Sequence, residues 1–147
     1  MARVSVFEAR DPIGNDTFVW LPVVVWAAVI FLFSTQTFSA LNTAKIIDPI
    51  VRWLLPAASA TTVSLINALV RKCAHFVEYS VLFWLLLRGP LQGRPYVALA
   101  ACVVYAMLDE GHQIFEPGRT ASIYDIALDS TGALFSRFLS AATAELA

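Results

Sequence analysis

The sequence predicts an all-α, polytopic membrane protein, a four-helix transmembrane bundle with one interfacial helix between the first and second spans. Three observations carry this. Of the 147 residues, 59% are hydrophobic and only 14% charged, against about 25% charged in soluble domains, and the mean hydropathy is +0.69. Four long, mostly apolar stretches are separated by Gly, Pro and polar punctuation. The charges that fall within those stretches recur at helical spacing, so each helix gathers them on one face.

Residues 1–16, MARVSVFEARDPIGND, form a polar segment of mixed charge that ends in turn formers. From Thr17 to Ser34 the chain then runs without a charge, TFVWLPVVVWAAVIFLFS, and at 1.5 Å per residue such a stretch matches a hydrocarbon core of about 30 Å. Pro22 sits in its first turn, where a missing N–H does no harm. A secretory signal is the rival reading; Glu8, Asp11 and Asp16 oppose it. The first span is drawn over about 17–36.

Residues 35–60 connect to the second span and contain the amphipathic piece AKIIDPIVRWLLP. Lys45, Asp48 and Arg52 share one face, and Trp53 suits the headgroup level, so an interfacial helix is expected. The second span is drawn over about 62–88 and stops at Gly89-Pro90; the third covers about 94–110 and the fourth about 122–142. Short loops make such helices antiparallel neighbours, and residues 17–142 are read as one transmembrane domain.

Charge narrows the function. A net charge of -1 with no basic arm leaves nothing suited to nucleic acid. Cys73 and Cys102 lack CxxC or Cys/His spacing and read as free thiols. No cofactor is indicated, and a single His-x-x-Glu step, His75 to Glu78, is too little for a metal site. With four spans, Arg3, Arg10, Arg88, Arg94 and Arg137 share one side, opposite Lys45, Arg52, Arg71, Lys72 and Arg119. Setting aside Arg71, Lys72 and Arg119 as members of a polar site leaves five against two. That balance predicts a multi-pass inner-membrane protein with cytoplasmic N- and C-termini.

Ionisable residues inside spans are costly, so they default to function or mutual pairing. Here three helices bring them to one end of the bundle. Lys72, His75 and Tyr79 step by three and four along the second helix, beside Glu78; the third ends in Asp109, Glu110, His112 and Gln113. Pro117-Gly118 turns Arg119 back, and the fourth helix opens with Ser122 as N-cap and Asp125 as the acid of a capping box. Asp125, Asp129, Gly132 and Ser136 then form a stripe, with Ser34 and Gln36 adjoining at the exit of the first helix.

Lys72 and Arg119 suit a phosphate or carboxylate ligand, with Tyr79, Glu110, Gln113, Asp125 and Asp129 completing the binding surface. His75 suits a general base oriented by Glu78 or Asp109; no nucleophile motif accompanies it. The same residues also admit a structural reading in which cations and carboxylates neutralise one another. Binding, catalysis and structure all stay open at this level.

FSTQ after the first span, KCAHFVEY in the second and DEGHQIFEPGRTASIYDIALDSTGALF at the end together resemble the VanZ-like membrane protein family over about residues 18–140. The matching positions are Lys72, His75 and Tyr79, then Asp109, Glu110, Gln113, Phe115, Pro117 and Arg119, then Asp125 and Gly132. Asp129 stands where that family usually carries Asn, adding a carboxylate. The resemblance implies a membrane location and, through the founding member's link to low-level teicoplanin resistance, an envelope ligand: a lipid headgroup, a polyprenyl-linked precursor or a glycopeptide. It assigns no reaction and no oligomeric state.

Overall fold

The computed structural model describes residues 16–119 and 121–145, and among them every regular element is helical, in accord with the all-α class. Helix α1 spans Asp16–Ser34 and is followed by a 3-10 turn at Gln36–Phe38; α2 spans Ala40–Leu54, α3 Ala60–Arg88, α4 Pro95–Gln113 and α5 Ile123–Glu145. The polar segment read over 1–16 lies outside the described residues apart from Asp16.

Local chemistry sets the helix ends. Ser59 begins α3, its Oγ accepting from the Thr62 N–H at 3.1 Å, which satisfies one of the donors a helix start leaves open. Pro95 opens α4, a first-turn position that needs no N–H. Ser122 caps α5 as expected, its Oγ accepting from the Tyr124 N–H at 3.2 Å. The acid that completes this cap differs from the sequence-based expectation. Glu110 of α4, rather than Asp125, accepts the Ser122 N–H at 2.8 Å, because Asp125 is drawn across to Lys72 of α3.

The central helix is α3, against which α1, α2, α4 and α5 all pack. Lys72 meets Asp125, His75 meets Asp129 and Ser80 meets Gly132, so residue numbers rise together along the α3–α5 seam and the two helices run parallel. Gly132 makes the seam possible: a Cβ there would lie 2.3 Å from the Phe76 carbonyl oxygen. Ser80 Oγ reaches the carbonyls of both Phe76 and Gly132 at 2.8 Å. Small residues at a helix crossing allow this approach of backbones. Around it Tyr79, Phe83, Cys102, Ala106 and Ala133 form the core. Trp26 of α1 donates to the Glu78 carbonyl at 2.9 Å, and Tyr105 of α4 donates to the Ala27 carbonyl at 2.6 Å, fastening α1 at mid-height.

The outside is apolar where a soluble protein would be polar. Phe18, Val24 and Leu32 on α1, Val104 and Leu108 on α4, and Phe135 and Phe138 on α5 are all exposed, whereas Asp109, Glu110 and Asp129 are buried. On α2, Ile46, Ile50 and Trp53 face outward while Val51 packs inward, and Asn67 Nδ2 reaches Asp48 Oδ1 at 3.4 Å, tying α2 to α3. Among the described residues no single helix is long and apolar enough to cross a membrane alone. The pair Phe18–Ser34 and Gln36–Leu54 passes that test together, bent by 65°. The inward-facing charges of α3, α4 and α5 lower the hydropathy of those helices even though their outer faces are apolar.

Candidate functional site

Two rungs of polar contacts cross the upper part of the α3–α5 seam. Lys72 Nζ lies 2.5 Å from Asp125 Oδ1, the side chains 53% and 26% exposed. One turn deeper, His75 Nδ1 lies 3.4 Å from Oδ1 of Asp129, whose side chain is wholly buried. Tyr79 follows, fully buried. From α4 come Asp109, Glu110 and Gln113, all buried, with Gln113 Nε2 donating to Asp109 Oδ2 at 3.3 Å. Ser34 at the end of α1 adjoins Asp109, as its place in the sequence suggests. The Tyr79 hydroxyl, Glu110 Oε1 and Asp129 Oδ2 have no hydrogen-bond partner among the described residues. Buried polar groups are nearly always paired in folded proteins, and this concentration of unpaired ones makes the region the candidate site.

Arg119 occupies an unexpected setting. Its Nε and Nη2 donate to the Thr35 carbonyl at 3.3 and 3.1 Å, and Nη2 also donates to the Phe33 carbonyl. These carbonyls lie at the negative end of α1, where a helix lacks internal donors. Burial holds the Arg119 guanidinium below its ordinary pKa, and the neighbouring positive charge of Arg71 acts in the same direction. Glu116, read as a loop acid, accepts the Gln36 N–H at 3.0 Å and lies 3.4 Å from His112 Nε2. Gly118 turns the loop with φ of +77°, a conformation that favours glycine.

Two pockets open against adjoining faces of α2. The larger, about 410 Å³, is lined by Asp48, Asn67, Arg71, Lys72, His75 and Asp125, with Gln113 and Gly118 at its edge. The smaller, about 180 Å³, has Phe33, Phe38, Ile47 and Val70 on its apolar wall, and Thr43, Glu78 and Arg119 as its polar members besides Arg71 and His75, which both pockets share. Of the residues expected to form a site, Lys72, His75, Gln113 and Asp125 line the larger pocket; His75, Glu78 and Arg119 line the smaller. Asp109, Glu110, Tyr79 and Asp129 stand behind them in the bundle.

Arg71, counted with the polar site from the sequence, lines both pockets, and Asp48 and Asn67 join the site although the sequence reading left them out. Arg71 had a signal, since it lies four and seven residues before His75 and Glu78 and so shares their helix face. Asp48 and Asn67 had none, because only the docking of α2 on α3 brings them together. Among the described residues no three His, Cys, Asp or Glu side chains gather as a metal site.

The arrangement combines cations at a pocket mouth with a His–Asp pair and buried acceptors, which suits anion binding and proton transfer. No curated protein matches the chain, and no solved structure does. A family model described as VanZ/LLP1 matches residues 19–142, in keeping with the motifs that converge on these pockets, and the chain therefore belongs to the VanZ/LLP1 family.

Proposed function

We propose that this chain is an integral inner-membrane protein that binds a phosphate- or carboxylate-bearing envelope ligand in the larger pocket. The carrying observation is that pocket itself: about 410 Å³, with Arg71 and Lys72 at its wall and His75 lining it too, in a bundle whose outer faces are apolar. Ligand sites usually fall at roughly 300–1,000 Å³. The membrane setting is supported by the exposed apolar residues of α1, α4 and α5, since exposure on this scale needs lipid or a partner to cover it. In the proposed topology α1, α3, α4 and α5 cross the bilayer, α2 lies at the outer interface, and both termini are cytoplasmic. Envelope lipids, polyprenyl-linked precursors and teicoplanin-type glycopeptides all offer the required anionic group.

The test is lipid retention. Protein purified from membranes is expected to carry an anionic lipid detectable by mass spectrometry, and a Lys72→Ala/His75→Ala double variant is expected to insert normally yet lose most of it. Equal retention by the variant, or only zwitterionic lipid on the wild type, would overturn the reading.

A second reading, a hydrolase or transferase acting on a lipid headgroup, has one observation in its favour: His75 lines both pockets and its Nδ1 faces buried Asp129 at 3.4 Å. A neighbouring carboxylate at Nδ1 leaves Nε2 free to accept a proton. In that case Asp129, in place of Glu78 or Asp109, is the orienting acid. Incubation with lipid extract would then yield a changed headgroup, and Asp129→Asn would abolish the change.

A further inference from the structure

Three cations line the two pockets, and they are not equally engaged. Lys72 is paired with Asp125, and Arg119 donates to the carbonyls at the end of α1. Arg71 makes no ion pair or hydrogen bond among the described residues, although it lines both pockets. A guanidinium in that position is a planar donor set without an acceptor, and phosphate and carboxylate are the groups whose geometry matches it.

The smaller pocket differs in kind from the larger. At about 180 Å³ it falls below the roughly 300 Å³ at which ligand sites begin, so it does not hold a separate ligand. Its apolar wall, Phe33, Phe38, Ile47 and Val70, leads outward, since Phe33, Phe38 and Val70 are themselves exposed. A chain of methylenes entering from the apolar outer surface would pass these side chains and reach Arg71. On the far side of Arg71, the larger pocket offers Asp48 and Asn67, and Asn67 Oδ1 has no partner among the described residues. Acceptors of this kind suit the hydroxyls of a headgroup.

We infer that the ligand is an anionic amphiphile, with its charged group on Arg71, one alkyl or isoprenoid chain in the smaller pocket and any hydroxylated headgroup in the larger. This rests on the binding reading above and adds to it the shape of the ligand and the residue that anchors it.

The experiment measures binding of dodecyl phosphate, butyl phosphate and dodecanol to the full chain in digitonin, whose sterol portion is a poor mimic of an alkyl chain. Wild type is expected to bind dodecyl phosphate at least tenfold more tightly than either other probe. Arg71→Ala should lose at least tenfold for dodecyl phosphate, and Arg71→Lys should recover only part. Val70→Trp, at a position 46% exposed and so outside the core, should fill the smaller pocket and abolish the tenfold preference for dodecyl over butyl phosphate. Equal binding of the two phosphates overturns the chain pocket while anion binding stands. Dodecanol binding as tightly as dodecyl phosphate overturns the anionic anchor. Loss with Lys72→Ala but not with Arg71→Ala overturns the role of Arg71, and no binding of any phosphate overturns the underlying reading as well. Farnesyl phosphate separates the sources: a preference for it assigns the chain to a polyprenyl carrier, a preference for dodecyl phosphate assigns it to a phospholipid, and both support the proposal.

Discussion

The two halves of the α3–α5 seam are held by different physics. From the middle of α3 onward, backbones touch: Gly132 lies against Phe76, and Ser80 bridges the two carbonyls. Just before that point, the same helices face each other through Lys72–Asp125 and His75–Asp129, beside pockets. In the first half shape decides, because one added carbon has nowhere to go. In the second half chemistry decides, and groups left without partners are kept. A bundle can hold costly polar groups in one half when the other half fixes the register of the helices independently.

The largest test of this contrast is Gly132→Val. Overpacking a tight contact costs about 1–3 kcal/mol and sometimes more, and here the obstacle is backbone rather than a movable side chain. A sharp fall in Tm of the purified protein is expected; an unchanged Tm would mean the close-packed half does not set the register. Glu110→Ala comes next. It removes the acceptor of the Ser122 N–H, and hydrogen bonds to charged groups contribute about 1.5–3 kcal/mol. A lower Tm together with faster trypsin cleavage after Arg119 is expected, and no change in cleavage would remove Glu110 from its capping role. The smallest stability effect belongs to Lys72→Ala. Its ion pair is half exposed, so it contributes at most about 1 kcal/mol, yet retention of anionic lipid should fall. If Lys72→Ala unfolded the protein instead, the polar half would be a structural network after all.

Much of the site was legible one helix at a time. The spacing of Lys72, His75 and Tyr79 on α3, and of Asp125, Asp129 and Gly132 on α5, shows two polar stripes, and their meeting follows from helix order. What a stripe does not tell is which member pairs with which. Asp125 has the local look of a capping acid, but Glu110 takes that role from another helix. Arg119 looks like a free anion clamp from its loop position, but the end of α1 supplies it with carbonyl acceptors. Arg71 and Lys72 both line the larger pocket, and only the packed helices reveal that Arg71 reaches the smaller one as well.

By itself, the sequence determined the all-helical class, the cap at Ser122, and which face of each helix carries charge. These follow from hydrogen bonds and periodicities that act within a few residues. Tertiary structure alone decided that α2 folds back over α3 to frame two pockets, that Arg71 belongs to both, and that Arg119 is spent on α1. Those outcomes depend on which donor lies nearest which acceptor once the helices are packed, a matter of distances between residues as far apart as Phe33 and Arg119.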